Sequence, residues 1–358
     1  MSDSPELVLA LERAAEAQSA LEAGDAEAAL DAARDAVALV REELGDLSAD
    51  LANLLVVRSQ AQRLLGELDA AQASAEEAVA IMTELPGGGE LDRIRVQARR
   101  GVGDVLLHRG DYVAARDCFV IALGDAERTL GPMDPDTASL LNNLGVVGKH
   151  TGDFEDAERR YAEALSIVEA TVGADDVQAA GLHHNLGGLA HSRGEYAQGV
   201  PHARRSVAIR EAALGPGHPD VAADKAALAG LLQAIGELEE AEALLRDAIV
   251  VFTNAYGPDH LEVGIARTKL GTALHRDGRL DEAEREYRAG LAVRERRVGS
   301  EHPDLAATLI NLAGVVGDVD EARALYTRAL ALLDGAVAAD HPTRRACLEW
   351  LAALDDER

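Results

Sequence analysis

Residues 141–164 read LNNLGVVGKHTGDFEDAERRYAEA, two apolar stripes separated by a Gly-Asp pair. Before Gly152 the apolar positions recur every three residues, and after Asp153 they recur every three or four, which is the periodicity of an α-helix. A glycine followed by a polar residue favours a left-handed turn that ends one helix and lets the next begin. The stretch therefore predicts a hairpin of two helices.

The same Gly-polar turn recurs along the whole chain. The turn glycines are Gly24, Gly66, Gly110, Gly152, Gly194, Gly236, Gly278 and Gly317. The step is 42 residues, except for 44 before Gly110 and 39 before Gly317. We expect the loop 86–89 to absorb the insertion, and the first helix of the last repeat to lose about one turn. Because one hairpin cannot cover its own apolar stripes, residues 1–341 are predicted to form a single α-solenoid, a right-handed superhelix of about eight antiparallel helix hairpins.

The two ends of this array carry signs of caps. Ser4-Pro5-Glu6 is a favourable helix start, with proline at the first helical position. Residues 343–354 contain the single tryptophan, Trp350, and predict a last helix that covers the eighth repeat. We therefore assign 342–358 to a C-terminal capping helix and a polar tail.

Composition excludes several classes of partner. The formal net charge of −28 repels nucleic acid and anionic membranes, and no basic run offers a local exception. Aromatic residues make up 3% of the chain and apolar residues 47%, which suits closely packed helices. Residues 1–6 lack the order of a signal peptide, and the two cysteines, Cys118 and Cys347, show no metal-like spacing. We expect a cytoplasmic protein without cofactor or metal.

These motifs resemble the tetratricopeptide repeat (TPR) family. The family pattern is a Leu-Gly pair in the first helix, then alanine, an aromatic residue and a second alanine in the second. It is met by Leu144-Gly145, Ala157, Tyr161 and Ala164. The fifth repeat departs from it at Gly199 and Ser206. The 42-residue period and the LNNLG motif at 141–145 resemble the long subtype of kinesin light chains and bacterial regulators.

Two further columns of recurring residues are interpreted as structural. Small residues at the glycine position of the pattern allow the paired helices to approach closely. They are Ala17, Ser59, Gly103, Gly145, Gly187, Ala229, Gly271 and Ala313. The loop histidines His218, His260, His302 and His341 recur beside helix starts, so we interpret them as helix-start residues and not as catalytic groups.

The resemblance implies a concave groove lined by the first helix of each pair. The candidate binding residues on this face are Arg100, Asn142, Asn143, Val146, Lys149, His184, Asn185, His191, Gln233, Thr268, Lys269, Thr272, His275, Arg276 and Asn311. Asn143, Asn185 and Asn311 fall where the family holds a peptide backbone with asparagine amides. The alternative is that such asparagines only tie one helix to the next.

Charge suggests which segment the groove would bind. Lysine, arginine and histidine side chains of the predicted groove lie within an otherwise acidic chain, which favours an acidic peptide. The alternative is that the exposed face of any helical array is charged. The family's carboxylate clamp of paired lysines is not matched, since that position holds Ser139, Gly181, Ala223 and Ile265.

The function predicted from these features is a protein-protein interaction scaffold that binds an extended peptide or partner segment in the groove. A first alternative is a regulatory sensor in which a peptide or small ligand alters the curvature of the solenoid. A second is an enzyme that uses the surface of His184 and His191, although we expect no catalytic site. A homo-oligomer is compatible with the sequence.

Overall fold

The structure is a computed structural model and describes residues 4–334, 336 and 341–356. These residues form seventeen α-helices and one short 3-10 helix, and no β-strand occurs among them. The chain divides into two compact units, Met1–Asp176 and Val177–Arg358. The predicted fold class, an all-α array of helix hairpins, is confirmed.

The first unit contains four helix pairs. Its helices are α1 (Pro5–Glu22), α2 (Ala26–Leu44), α3 (Ala49–Leu64), α4 (Leu68–Glu84), α5 (Glu90–His108), α6 (Tyr112–Thr129), α7 (Pro135–Thr151) and α8 (Phe154–Thr171). Each first helix packs against the helix that follows it, and the second helix of a pair packs against the first helix of the next. The loop 86–89 lies between α4 and α5, where the insertion was predicted. At the start of α1, Ser4 accepts a hydrogen bond from the Leu7 N–H, as a helix cap does.

The second unit repeats the arrangement and adds a last helix. Its helices are α9 (Val177–Ser192), α10 (Tyr196–Leu214), α11 (Pro219–Ile235), α12 (Leu238–Tyr256), α13 (Leu261–Arg276), α14 (Leu280–Val298), the 3-10 helix Pro303–Leu305, α15 (Ala306–Ala313), α16 (Val319–Leu333) and α17 (Pro342–Asp356). Helix α17 packs on α16, with the rings of Trp350 and Tyr326 5.5 Å apart between centroids. The predicted helix that covers the eighth repeat is therefore present.

The glycine turns follow the prediction with one exception. Gly152 ends α7 in the left-handed region, with φ of +81°, and the other turn glycines up to Gly278 also have positive φ. Gly317 does not: α15 ends at Ala313, and Gly317 lies in a bend after it without a positive φ. The expectation of a left-handed turn at Gly317 was wrong. The first helix of this repeat is shortened as expected, but by more than one turn, since α15 has 8 residues and α13 has 16.

Packing explains the column of small residues. A Cβ built on Gly145 would lie 2.5 Å from the Tyr161 ring, and one on Gly271 would lie 2.7 Å from the Tyr287 ring. Real Cβ atoms do not approach other atoms so closely, so these positions exclude a side chain. The interpretation of the column as a packing feature is confirmed at these two glycines, whereas Gly187 has room for a methyl group.

The loop histidines cap helices. The Nδ1 atom of His218 accepts a hydrogen bond from the Asp220 N–H at 3.1 Å, and His260, His302 and His341 accept from the residue two positions on in the same way. Their interpretation as helix-start residues is confirmed.

In the described part of the chain, no helix combines the length and the apolar character that a membrane crossing requires.

Candidate ligand-binding site

A cavity of about 250 Å³ lies in the second unit between α9, α10, α11 and α13. One part of its wall is made of small and apolar residues, namely Gly187, Gly188, Ala203, Ala227, Gly230 and Leu231. The other part is polar and consists of His184, His191, Ser206, Asp224 and Lys269. Of the residues predicted to line a groove, the structure therefore brings His184, His191 and Lys269 together at one site.

The cavity exists because the α9–α10 pair lacks an aromatic residue. In the α5–α6 and α7–α8 pairs, the rings of Phe119 and Tyr161 are buried against the glycine of the first helix. Ala203 occupies the equivalent position of α10, 42 residues after Tyr161. A Cβ on Gly187 would lie 3.5 Å from the Ala203 methyl group, which is ordinary contact. No ring fills the space that the small residues leave between the helices.

Asp224 forms a buried anchor in the polar wall. Its side chain is 1% exposed, and its Oδ1 atom accepts hydrogen bonds from Arg210 at 2.6 Å and from His184 Nδ1 at 2.7 Å. Its Oδ2 atom lies 2.5 Å from Ser206 Oγ. A buried carboxylate needs a cation and further hydrogen bonds to offset the loss of water, and Asp224 has both. The network fixes the ring of His184 at the cavity.

Lys269 differs, because its half-buried ammonium group has no acidic partner among the described residues. Its Nζ atom donates a hydrogen bond to the carbonyl oxygen of Ala226 at 3.2 Å. Among the residues that the structure describes, no carboxylate oxygen lies within 4.0 Å of this ammonium group. Burial lowers the pKa of Lys269 below its ordinary value, and Glu262 only opposes that shift from a distance.

His191 stands at the exposed rim of the cavity. Partial burial and the nearby charge of Lys269 both lower the pKa of His191, so its ring is neutral at pH 7. The ring packs edge-on against Tyr196, with 5.3 Å between the centroids. A neutral imidazole in this position can donate one hydrogen bond to a bound group without adding charge.

The sequence matches the family model of the tetratricopeptide repeat over residues 95–170, 178–249, 223–296 and 263–335. These segments cover more than half of the chain, and the helix pairs agree with them. The chain belongs to the tetratricopeptide repeat family. No curated protein matches the sequence.

Several solved TPR structures share the fold. A Rap protein complexed with Competence and Sporulation Factor has a TM-score of 0.62 and 13% identity, with 99% of each chain covered. BtubC (BKLC) from P. vanneervenii has a TM-score of 0.52 and 18% identity over 71% of this chain and 94% of its own. A signal-transduction ATPase (STAND) protein from Pyrococcus horikoshii with a tetratricopeptide repeat sensor has a TM-score of 0.58 and 13% identity, over 92% of this chain and 49% of its own. The likeness is one of fold.

Other predicted groove residues of the second unit hold TPR helices together. The side chain of Gln233 is only 6% exposed, and its amide donates to the Lys269 carbonyl at 2.9 Å. Arg276 on α13 donates a hydrogen bond to the Gln233 carbonyl on α11 at 2.6 Å. Thr272 lies 3.2 Å from the hydroxyl of Tyr287, which donates to it. Gln233 and Arg276 thus join α11 to α13 beside Lys269, and none of the three side chains lines the cavity.

The remaining candidates of the second unit are half-buried on the first helices of their pairs. Thr268 donates to the Gly264 carbonyl within its own helix at 3.0 Å. The ring of His275 meets that of Tyr287 edge-on, with centroids 6.5 Å apart. Asn185 on α9 and Asn311 on α15 are half-buried. None of these four residues contributes to the cavity wall.

The candidate residues of the first unit form a separate polar surface. Asn143 on α7 donates a hydrogen bond to the carboxylate of Asp104 on α5 at 2.7 Å. This contact agrees with the alternative that such asparagines tie one helix to the next. Arg100 contacts Asp136 at 3.2 Å. Lys149 is half-buried, and burial lowers the pKa of its ammonium group. Asn142 and Val146 are half-buried beside these groups on α7.

The cavity residues that the sequence did not indicate as binding candidates include Asp224, Ala203 and Ser206. Asp224 occupies the repeat position that holds the buried residues Leu140 and Leu182 in the two preceding repeats. A carboxylate at a position that is otherwise apolar could have indicated a site. Ala203 in the aromatic column was a second signal, and Ser206 had been noted only as a departure from the family.

The described residues contain no group of three or more histidine, cysteine, aspartate or glutamate side chains placed to hold a metal ion.

Proposed function

We propose that this TPR chain is a protein-interaction module whose second unit binds an extended partner segment along the first-helix face of α9, α11 and α13. The family builds such faces from repeated first helices, and here the face contains an open cavity instead of a continuous packed surface. The fold similarity to a Rap protein in complex with Competence and Sporulation Factor supports a role in binding a peptide or protein.

The observation that carries the proposal is Lys269. A half-buried ammonium group without a carboxylate partner lowers the stability of a free protein, since the charge has lost part of its water. A chain of net charge −28 has many acidic side chains, yet none of the described ones pairs with Lys269. A partner segment that supplies an acidic group would offset this cost, which favours the predicted acidic segment over a neutral one.

Affinity capture with matched variants tests the proposal. Lys269→Met keeps the length of the side chain and removes its charge, and the loss of a desolvated ammonium leaves the fold intact. Arg246→Met is the control, because it removes one positive charge from the exposed face of α12. We expect the partner set captured by the wild type to be retained by Arg246→Met and lost by Lys269→Met. An identical set with all three proteins would contradict binding at this face.

A regulatory sensor is a second candidate, and the cavity is the observation that favours it. A small ligand that entered the cavity would contact helices of three successive pairs, α9–α10, α11–α12 and α13–α14, and could change their spacing. Small-angle X-ray scattering with and without a bound ligand measures this effect. A radius of gyration that stays unchanged when the ligand saturates the protein would exclude the sensor and retain the interaction module as the proposed function.

A further inference from the structure

We infer that the cavity between α9, α10, α11 and α13 is a subsite for a single carboxylate group on a short aliphatic stem. The group is either an acidic side chain of a bound segment or a small free aliphatic acid. In the first case the inference rests on the proposed interaction function and names the side chain that the face selects. In the second case it stands alone.

The size of the cavity limits the ligand. Pockets for drug-sized molecules measure roughly 300–1,000 Å³, so a cavity of about 250 Å³ suits one side chain or one small acid. The glycines Gly187, Gly188 and Gly230 expose backbone and Cα atoms, and Leu231 adds an apolar side chain. This part of the wall can pack against two or three methylene groups and offers them no polar partner.

The charges decide between an acid and an amine. Asp224 is the acidic residue in the wall, and its two oxygens are already bound by Arg210, His184 and Ser206. A ligand ammonium group would therefore have to displace an existing partner. The cation Lys269 has only a backbone carbonyl as partner, so a ligand carboxylate finds a charge that it can pair with directly.

The same comparison explains why the subsite belongs to this helix pair. In the α13–α14 pair, the fully buried ring of Tyr287 contacts Gly271 and fills the corresponding space. In the α11–α12 pair, Leu245 is buried at that position. Among the helix pairs of the second unit, α9–α10 alone has an alanine at this position, and there the glycines of α9 line a cavity that reaches Lys269. Restoring a ring at position 203 should therefore close the subsite.

The free-acid arm of the test uses sodium glutarate, with glutaramide as the uncharged control. Saturation-transfer NMR on the intact chain measures binding to the wild type, Lys269→Met, Ala203→Phe and the control Arg246→Met. We expect glutarate to bind the wild type and Arg246→Met, and to bind Lys269→Met and Ala203→Phe at least tenfold more weakly. Ala203→Leu, which copies Leu245 of the next pair, serves as a second cavity-filling variant if the phenylalanine variant does not fold.

The peptide arm uses two blocked pentapeptides, acetyl-Ala-Ala-Glu-Ala-Ala-amide and its glutamine counterpart. Binding of the glutamate peptide alone, with the same dependence on Lys269 and Ala203, assigns the subsite to a side chain. Binding of glutarate alone supports the subsite and assigns it to a free acid, against the peptide source. If neither probe binds the wild type, or if binding persists in Ala203→Phe and Ala203→Leu, the inference is overturned. Affinity capture can still succeed in that case, so the two proposals fail separately.

Discussion

Gly187 faces Ala203 across the α9–α10 pair with ordinary contact, whereas Gly145 faces the ring of Tyr161 with no room for a side chain. The two glycines occupy the same position of successive repeats, 42 residues apart. Their different surroundings give a direct test of the cavity.

Replacing each glycine by alanine should change stability in opposite directions. Within a helix, alanine is favoured over glycine by about 0.8–1.0 kcal/mol, so Gly187→Ala should raise the free energy of unfolding by up to that amount. Gly145→Ala drives a methyl group into the Tyr161 ring, and overpacking of this kind costs about 1–3 kcal/mol. Urea denaturation of the two variants measures the difference. Equal effects would show that position 187 is as tightly packed as position 145.

Filling the cavity should also be tolerated, while emptying its counterpart should not. Ala203→Phe places a ring where four other pairs carry one, and cavity-filling changes commonly stabilise by about 0.5–2 kcal/mol. Tyr161→Ala removes a fully buried ring and should destabilise by about 3–5 kcal/mol. Thermal unfolding followed by circular dichroism compares both variants with the wild type. A large loss of stability in Ala203→Phe would mean that the walls of the cavity cannot accept a ring.

The fold was predictable from the sequence because the same pattern of helix and turn residues recurs in each repeat. The glycine turns, the small-residue column and the capping histidines recur at fixed positions, so an error in one repeat is corrected by the others. Gly317 was misjudged because the three-residue deletion moved the end of α15 away from the turn motif. The period alone does not show where within a shortened repeat the helix ends.

The site was less predictable, since it depends on departures from the pattern and on pairs of residues one repeat apart. Whether Asn143 faces a ligand or a neighbour depends on Asp104, 39 residues earlier, whose carboxylate accepts its amide hydrogen bond. Gln233 likewise depends on a residue of the next repeat, since its amide donates a hydrogen bond to the backbone carbonyl of Lys269 on α13. The sequence named Lys269 as a groove residue, but it did not reveal that the missing ring at Ala203 opens a cavity beside it.

Loss of the charge of Asp224 should be costly. Asp224→Asn leaves the guanidinium group of Arg210 largely buried without its anion, and breaking a buried ion pair in this way costs about 3–5 kcal/mol. Asp281→Asn, at an exposed position of α14, is the matched control and should change stability by less than about 1 kcal/mol. Guanidinium chloride denaturation measures both. A small effect of Asp224→Asn would indicate that water, and not Asp224, stabilises Arg210.

A buried histidine pair should make stability fall in mild acid. The Nδ1 atoms of His183 and His202 lie 2.9 Å apart, and burial together with the charges of His202 and Arg205 lowers the pKa of His183 to about 4. In the unfolded chain, His183 takes up a proton near its ordinary pKa of 6.5, whereas in the folded chain it does so only near pH 4. The free energy of unfolding should therefore decrease as the pH falls from about 6.5 to about 4.

The variant His183→Gln separates this effect from the titration of carboxylates in the same range. Glutamine keeps a hydrogen-bonding group beside His202 and does not titrate, so its stability should fall less steeply between pH 6.5 and pH 5 than that of the wild type. The difference in slope should correspond to a fraction of one proton, which is roughly 1.5 kcal/mol over that interval. Urea denaturation at intervals of half a pH unit measures both slopes. Parallel curves for the two proteins would show that His183 titrates as it does in the unfolded chain.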